Sequence, residues 1–279
     1  MKTLKDKLAV VTGAGSGIGQ ALAQSLTREG CRLALADRSA AGLKETLRGL
    51  KDARARAWVL DVTKKPAVGN FARRVEKTMG PADILVNNAG VNSYGRVADV
   101  SDETLRWMMD VNFWGLVHMT RAFLPQLLSR PESSLVNLSS ALGLLGFYGQ
   151  AGYSASKFAV RGFSEALAHE LAGTSLKVTL VFPGGVKTGI HKASRNEYRL
   201  SPGEREKGRV EMESKLRSTA AQAAEAILRG IRRGSRRVLV GPDARLIDRL
   251  ARFAPGLSDL YMKMAKKNDP FWKKLQPGH

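Results

Sequence analysis

The sequence predicts an α/β fold: a doubly wound parallel sheet with helices on both faces, in a single domain that carries a C-terminal helical extension. Three observations predict it. Short, almost wholly apolar runs alternate with amphipathic stretches from the start, the pattern of strands buried on both faces by crossover helices. The first run ends in glycines and the second in an aspartate, the two places where such a sheet meets a ligand. With 279 residues, 43% hydrophobic and 25% charged, the chain can bury one large core.

Leu8–Thr12 is the first apolar run. Gly17–Glu29 follows as a helix that Gly30 closes. Arg32–Ala36 is the second strand and ends at Asp37. Ala57–Leu60, Ile84–Val86, Leu135–Leu138 and Val178–Phe182 repeat the theme, each after a helical stretch. A helix over Ala220–Arg232 and a last strand over Arg237–Val240 complete the sheet, and Gly241-Pro242 ends it. Right-handed crossovers put the C-terminal end of every strand on one edge. Residues 1–242 therefore read as one α/β domain and 243–279 as an amphipathic, basic extension. Within the first, residues 191–217 are charged and poor in apolar residues, and read as an excursion of the chain near the substrate.

Composition sets further bounds. One cysteine, Cys31, excludes an internal disulfide, and four scattered histidines show no metal-ligand spacing. No apolar run approaches a membrane span. The polar start, Met1 to Lys7, runs straight into a strand, which leaves no room for a signal peptide and implies a cytoplasmic protein. The anomaly is charge: 45 Lys and Arg against 25 Asp and Glu give +20. Such a surface attracts anions, whether nucleic acid, anionic lipid or small ligands.

The segment Thr12-Gly13-Ala14-Gly15-Ser16-Gly17-Ile18-Gly19 lies between the first strand and the first helix. Glycines there permit a tight turn and let backbone N–H groups approach a pyrophosphate at the helix N-terminus. Eighteen residues on, Asp37 can accept hydrogen bonds from both hydroxyls of an adenosine ribose. Together they predict a Rossmann-type dinucleotide site. Asp37 repels a 2′-phosphate, which favours NAD over NADP, although Arg38 beside it can pair with that phosphate.

Tyr153 and Lys157 stand four apart on a helix running to about Leu171, so they share a face. An ammonium beside a phenol lowers the phenol's pKa, which a phenol needs to exchange protons near neutrality. Ser139 and Ser140 end the preceding strand on the ligand edge, where a hydroxyl can donate to a substrate oxygen. An isolated Tyr–Lys pair is ordinarily a solvated helix face. Here the strand end, the glycine loop and the distal aspartate all point to the same edge.

With these residues in place the chain resembles the classical short-chain dehydrogenase/reductase family. The matches are Thr12-Gly13, Gly17-Ile18-Gly19, Asp61-Val62, Asn87-Asn88-Ala89-Gly90, Asn112, Ser140 thirteen residues before Tyr153, the Tyr153–Lys157 pair, and Pro183-Gly184 with Thr188. They span residue 8 to about 190. The resemblance implies an NAD(P)-dependent alcohol dehydrogenase or ketoreductase. Tyr153 would be its general acid/base, Lys157 the group that lowers the phenol's pKa and binds the nicotinamide ribose, and Ser140 the group that polarises the substrate oxygen. Asn112 would hold a water that joins Lys157 to a proton relay. Gly13, Ser16, Gly17, Ile18 and Gly19 would cradle the pyrophosphate, with Asp37 and Arg38 at the adenosine ribose. Asp61 and Val62 would flank the adenine, and Asn88, Ala89 and Gly90 would line the floor. Pro183, Gly184, Val186 and Thr188 would sit at the nicotinamide, the last two holding its carboxamide. A homodimer or homotetramer through helices at about 101–129 and 151–172 is implied as well.

The apolar segment Ala141 to Tyr148, with Leu142 in it, would wall the substrate pocket, and Val91 to Tyr94 would add a second wall. Nothing charged is offered there, so a hydrophobic secondary alcohol or ketone, steroid-like, retinoid-like or aliphatic, fits best. Among the charged residues of the excursion, His191 reads as a solvent-exposed loop residue.

In the extension, Leu246, Ile247, Leu250 and Phe253 form one apolar stripe, with Arg245, Arg249 and Arg252 beside it. Leu257, Leu260, Tyr261 and Met264 form another, followed by Lys266, Lys267, Phe271, Trp272, Lys273 and Lys274. Such helices pack on their own or a partner subunit, the commoner fate, or lie peripherally on a membrane. Two other function classes remain: a nucleic-acid-binding protein on this fold, disfavoured because the basic residues are dispersed without a binding motif, and an NAD(P) sensor without turnover, disfavoured by the intact Asn112, Ser140, Tyr153 and Lys157.

Overall fold

The computed structural model describes residues 1, 3–50, 54–190, 194–196 and 216–267, together with positions 203, 206, 207, 210 and 214. Most of the 191–217 excursion, His191 included, lies outside the described residues, as do Phe271, Trp272, Lys273 and Lys274.

Seven strands form the central sheet: β1 (Leu8–Thr12), β2 (Arg32–Asp37), β3 (Ala55–Val59), β4 (Ile84–Asn87), β5 (Ser133–Leu138), β6 (Leu176–Pro183) and β7 (Arg237–Val240). They lie in the order β3-β2-β1-β4-β5-β6-β7 and every pair is parallel. On one face, α1 (Gly17–Arg28) and α7 (Ala220–Arg233) join Ala9, Val11, Leu33 and Leu35 in one core. On the other, α3 (Lys65–Met79), α5 (Gly115–Leu128) and α6 (Ala151–Glu170) cover Leu8, Val10, Leu85 and Leu135. Trp58, Phe71 and Phe123 meet edge to face in that second layer. Phe123 is fully buried, and its truncation to alanine costs ~3–5 kcal/mol. The remaining helices are α2 (Ala40–Leu50), α4 (Asp102–Met109), α8 (Pro242–Phe253) and α9 (Pro255–Lys267).

The strand order reverses between β1 and β4. Chains diverge there and leave a crevice beyond the strand ends, where a ligand can enter.

Several boundaries differ from the sequence reading, and three of the differences have a clear cause. The third strand lies at Ala55–Val59 rather than Ala57–Leu60. It is an edge strand with no fully buried residue, Arg56 and Val59 being exposed, the latter at 64%, so a search for a purely apolar run misplaces it. The fifth starts at Ser133, because buried serines at 133 and 134 extend it where an apolar run does not. The helical stretch over 101–129 is interrupted by a wide π-helical turn, Asp110–Trp114, between α4 and α5.

Candidate active site

The loop after β1 and the acid ending β2 are bonded to each other. Asp37 Oδ2 accepts from Gly15 N at 2.9 Å and Oδ1 from Ser39 N at 2.8 Å. The loop packs too tightly for side chains. Gly13 has φ +64°, and a Cβ there would stand 2.7 Å from Asn88 Nδ2. A Cβ on Gly19 would overlap the Gly13 carbonyl oxygen, so Gly19 lets α1 seat against the loop. Asn88 Nδ2 donates to Thr12 O (2.9 Å) and Gly13 O (3.1 Å), and the backbone N–H groups of Asn88 and Ala89 both donate to Thr12 Oγ1. The first turn of α1 carries no acid, and its N-cap Ser16 makes no side-chain capping bond. That turn presents backbone donors and a positive dipole end to an anion.

These groups line a cavity of about 570 Å³. Its walls include Gly13, Ser16, Gly17, Ile18, Asp37, Arg38, Asp61, Val62, Asn88, Ala89, Gly90 and Thr188, twelve of the residues the sequence assigns to the cofactor. Gly19 and the Pro183-Gly184 turn stand behind the walls. Val186 is buried and pairs as a short parallel ladder with Ser218. The glycine cradle, the open helix end and the clamped acid fit a dinucleotide's pyrophosphate and adenosine ribose.

Ser140, Tyr153 and Lys157 adjoin the cavity's inner end without lining it. Gly90 bridges the two regions: a Cβ there would lie 3.2 Å from Asn112 Oδ1 and 3.5 Å from Lys157 Nζ. Tyr153 is in the first turn of α6 and hydrogen-bonds the Ser140 hydroxyl. Lys157 Nζ is 5.7 Å from the Tyr153 ring centroid and donates to Leu138 O at 3.0 Å. In the protein alone, burial dominates both groups. It pushes the phenol up to about 12, against the pull of the Ser140 bond, and the ammonium down to about 8. The lowering of the phenol expected from Lys157 does not appear in the protein alone, where burial raises it and only the Ser140 bond opposes. Ser139 is a tie between elements, its Oγ donating to Lys157 O at 2.9 Å.

Asn112 sits in the π-helical turn and is buried. Its Oδ1 accepts from Val91 N (2.7 Å), and its Nδ2 donates to Val91 O (3.0 Å) and Ser156 Oγ (2.9 Å). Ser156 Oγ in turn donates to Tyr153 O at 2.7 Å. The amide therefore fixes the strand-4 exit and the turn that carries Tyr153.

On the substrate side, Ala141 is buried, and Leu142, Tyr148 and Tyr94 are half-buried, none of them in the cavity wall. The wall instead receives Glu103, Arg106 and Trp107 from α4, with Asn92 and Ile190. The sequence offers no charge there because it assigns walls only to segments that follow strands. Arg195 stacks 4.2 Å from the Trp107 ring centre and donates to Thr104 Oγ1 (3.1 Å) and Glu103 (3.4 Å).

Asp243 is a further site residue that the sequence does not reveal. Its Oδ2 accepts from Gly185 N at 2.5 Å, and a Cβ on Gly184 would overlap its carboxylate. The start of α8 thus props the turn after β6 at Gly185, three residues before Thr188, which approaches Gly17. Among the described residues no three His, Cys, Asp or Glu side chains are placed to hold a metal ion.

The sequence profile of the short chain dehydrogenase family matches residues 7–199. An oxidoreductase of Mycobacterium tuberculosis, SadH, is 39% identical over 258 residues, 90% of this chain and 92% of its own length. A short chain dehydrogenase/reductase of Burkholderia phymatum, solved in complex with NAD, superposes with a TM-score of 0.83 at 30% identity, covering 92% of this chain and 96% of that one. An alcohol dehydrogenase of Thermococcus sibiricus, complexed with 5-hydroxy-NADP, gives 0.69 at 27% identity over 80% of this chain and 89% of that one.

Proposed function

The chain belongs to the short-chain dehydrogenase family of oxidoreductases, and on that premise we propose that it moves a hydride between a nicotinamide cofactor and a hydrophobic secondary alcohol or its ketone. The observation that carries the reading is the Ser140–Tyr153–Lys157 group standing at the inner end of a dinucleotide-shaped cleft. The nicotinamide ring, when bound, takes or gives the hydride at C4. Tyr153 gives its proton to the carbonyl oxygen in reduction and takes the hydroxyl proton in oxidation. Ser140 and Tyr153 both donate to that oxygen and stabilise its developing charge. Lys157 neighbours the phenol and the Gly90 floor, so it serves both the proton and the cofactor ribose. Asn112 is a positioning residue for Tyr153 and Val91.

NAD is the favoured cofactor. Support comes from the clamped Asp37 in the cavity wall and from the NAD bound by the Burkholderia neighbour, while the Thermococcus protein holds an NADP analogue. The substrate class is supported by Leu142, Leu145, Phe147 and Tyr148, half-buried apolar residues directly after Ser140. The subunit contact is assigned to α5 and α6 in a homo-oligomer, since Trp114 beside α5, Leu128 on α5 and Phe158 on α6 are large apolar side chains left exposed.

The test is NADH formation with a panel of lipophilic secondary alcohols, comparing the wild type with Tyr153→Phe. Loss of the acid/base should slow turnover at least ~100-fold and leave cofactor affinity nearly intact. Wild-type turnover in the variant defeats the reading.

A further inference from the structure

The last two helices carry an apolar stripe that nothing among the described residues covers. Ala244 of α8 and Ser258 of α9 are buried, and Ile247 packs against the core, so these positions mark the inward faces. On the outer side Leu246, Phe253, Leu257, Leu260, Tyr261 and Met264 are all exposed, Phe253 at 82%. At ~100° per residue, the four from α9 fall within an arc of about 100°. Exposed Lys263 and Lys267 lie along one border of that arc, and on α8 exposed Arg245 and Arg249 lie on one side of Leu246 and Phe253. Of the two acids in α8, Asp243 accepts from Gly185 N, and Asp248 accepts from Arg237 at 2.5 Å and Arg252 at 3.0 Å. Beyond α9 the sequence keeps the same composition, with Phe271 and Trp272 beside Lys273 and Lys274.

We propose that this α8–α9 face docks on an anionic lipid surface, with its apolar stripe in the interfacial layer and its lysines and arginines among the headgroups. The charge decides between lipid and a second copy. A two-fold contact between copies sets two identical faces together, so both sides bring the same cations, Lys263, Lys267, Arg245 and Arg249, into or around one contact, in a chain of net charge +20. An anionic bilayer presents the opposite sign to those cations and an apolar layer to the stripe. No helix among the described residues is long and apolar enough to cross a membrane, so the contact is peripheral. The proposal does not depend on the dehydrogenase reading, because docking is measured without cofactor or substrate.

The experiment is co-sedimentation of the full chain with vesicles of phosphatidylcholine alone and with about 30% phosphatidylglycerol, at low and high salt. Binding is expected to the anionic vesicles only, and to be released by salt. Leu257→Ser with Leu260→Ser, and separately Lys263→Glu with Lys267→Glu, should each lower partitioning at least ~tenfold. Each should keep wild-type mass in light scattering. Arg74→Glu with Lys77→Glu on α3 removes equal charge from a remote exposed face and should retain most of the binding. Three results overturn the proposal: no binding to anionic vesicles at low salt, an equal loss in the α3 variant, or a changed oligomer mass in the leucine variant, which would assign the stripe to a second copy.

Discussion

Replacing Lys157 with methionine removes an ammonium that the fold holds against its own preference. Lys157 is 4% exposed, and burial lowers its pKa from 10.5 to about 8. A basic group with a depressed folded pKa destabilises the native state fully below that pKa. The penalty disappears as pH rises towards the unfolded value, because the unfolded chain then binds a proton that the native one has released. The full difference corresponds to ~3 kcal/mol, of which about 2 kcal/mol is recovered between about pH 7 and about pH 9.5. Methionine keeps the length and apolar stem but cannot titrate, and leaves Leu138 O without its 3.0 Å donor at every pH. That loss shifts the whole curve without changing its slope. The assay is urea unfolding of both proteins at one protein concentration across that range. Groups common to both cancel in the difference, and the range stops short of the Tyr153 phenol at about 12. The wild type should gain about 2 kcal/mol relative to Lys157→Met from the acid to the alkaline end. Parallel curves would show that Lys157 is not buried as an ammonium and would refute the reasoning.

Two further substitutions probe the cleft. Asp37→Ala should lower the kcat/KM preference for NAD(H) over NADP(H) by roughly tenfold or more, since a charge-assisted ribose contact is lost along with repulsion of a 2′-phosphate. The ratio is the proper readout because the same change frees Gly15 N, and an unchanged ratio would assign cofactor choice to Arg38. Asp243→Ala should raise the Kd for NADH several-fold while leaving kcat at saturation within about twofold, and Asp243→Asn, which can still accept from Gly185 N, should restore binding. An Asp243→Ala protein with wild-type Kd would reduce the α8 contact to a structural one.

Much of the site is legible because its residues follow strands. Buried parallel strands are apolar runs and their C-terminal ends share one edge, so Gly13, Asp37 and the Ser139–Ser140 pair are placed on that edge by the strand pattern, while Gly90 and the choice of Ser140 come from the family resemblance. The Tyr153–Lys157 spacing adds a helix face. What escapes such reading is contact across long sequence separation. Asp243 reads as a first-turn helix acid, and nothing local says that it reaches Gly185, 58 residues away. Glu103, Arg106 and Trp107 enter the cavity wall from a helix rather than a strand end. Gly19 looks like part of the phosphate cradle, and local pattern does not show that its missing side chain also serves the packing of α1 on Gly13. The edge position of β3 and the π-helical turn that presents Asn112 likewise depend on neighbours, not on local pattern. The apolar stripe of the extension is legible as a stripe, whereas its exposure is a property of the folded chain.

The most direct measurement of the central claim follows the hydride itself. A lipophilic secondary alcohol deuterated at its carbinol carbon is incubated with NAD and the protein, and the recovered NADH is examined by NMR. Deuterium is expected at nicotinamide C4, on a single face, with the wild type, and at least ~100-fold more slowly with Tyr153→Phe. Reduced cofactor carrying no substrate deuterium, or equal transfer by the variant, would contradict hydride transfer assisted by Tyr153.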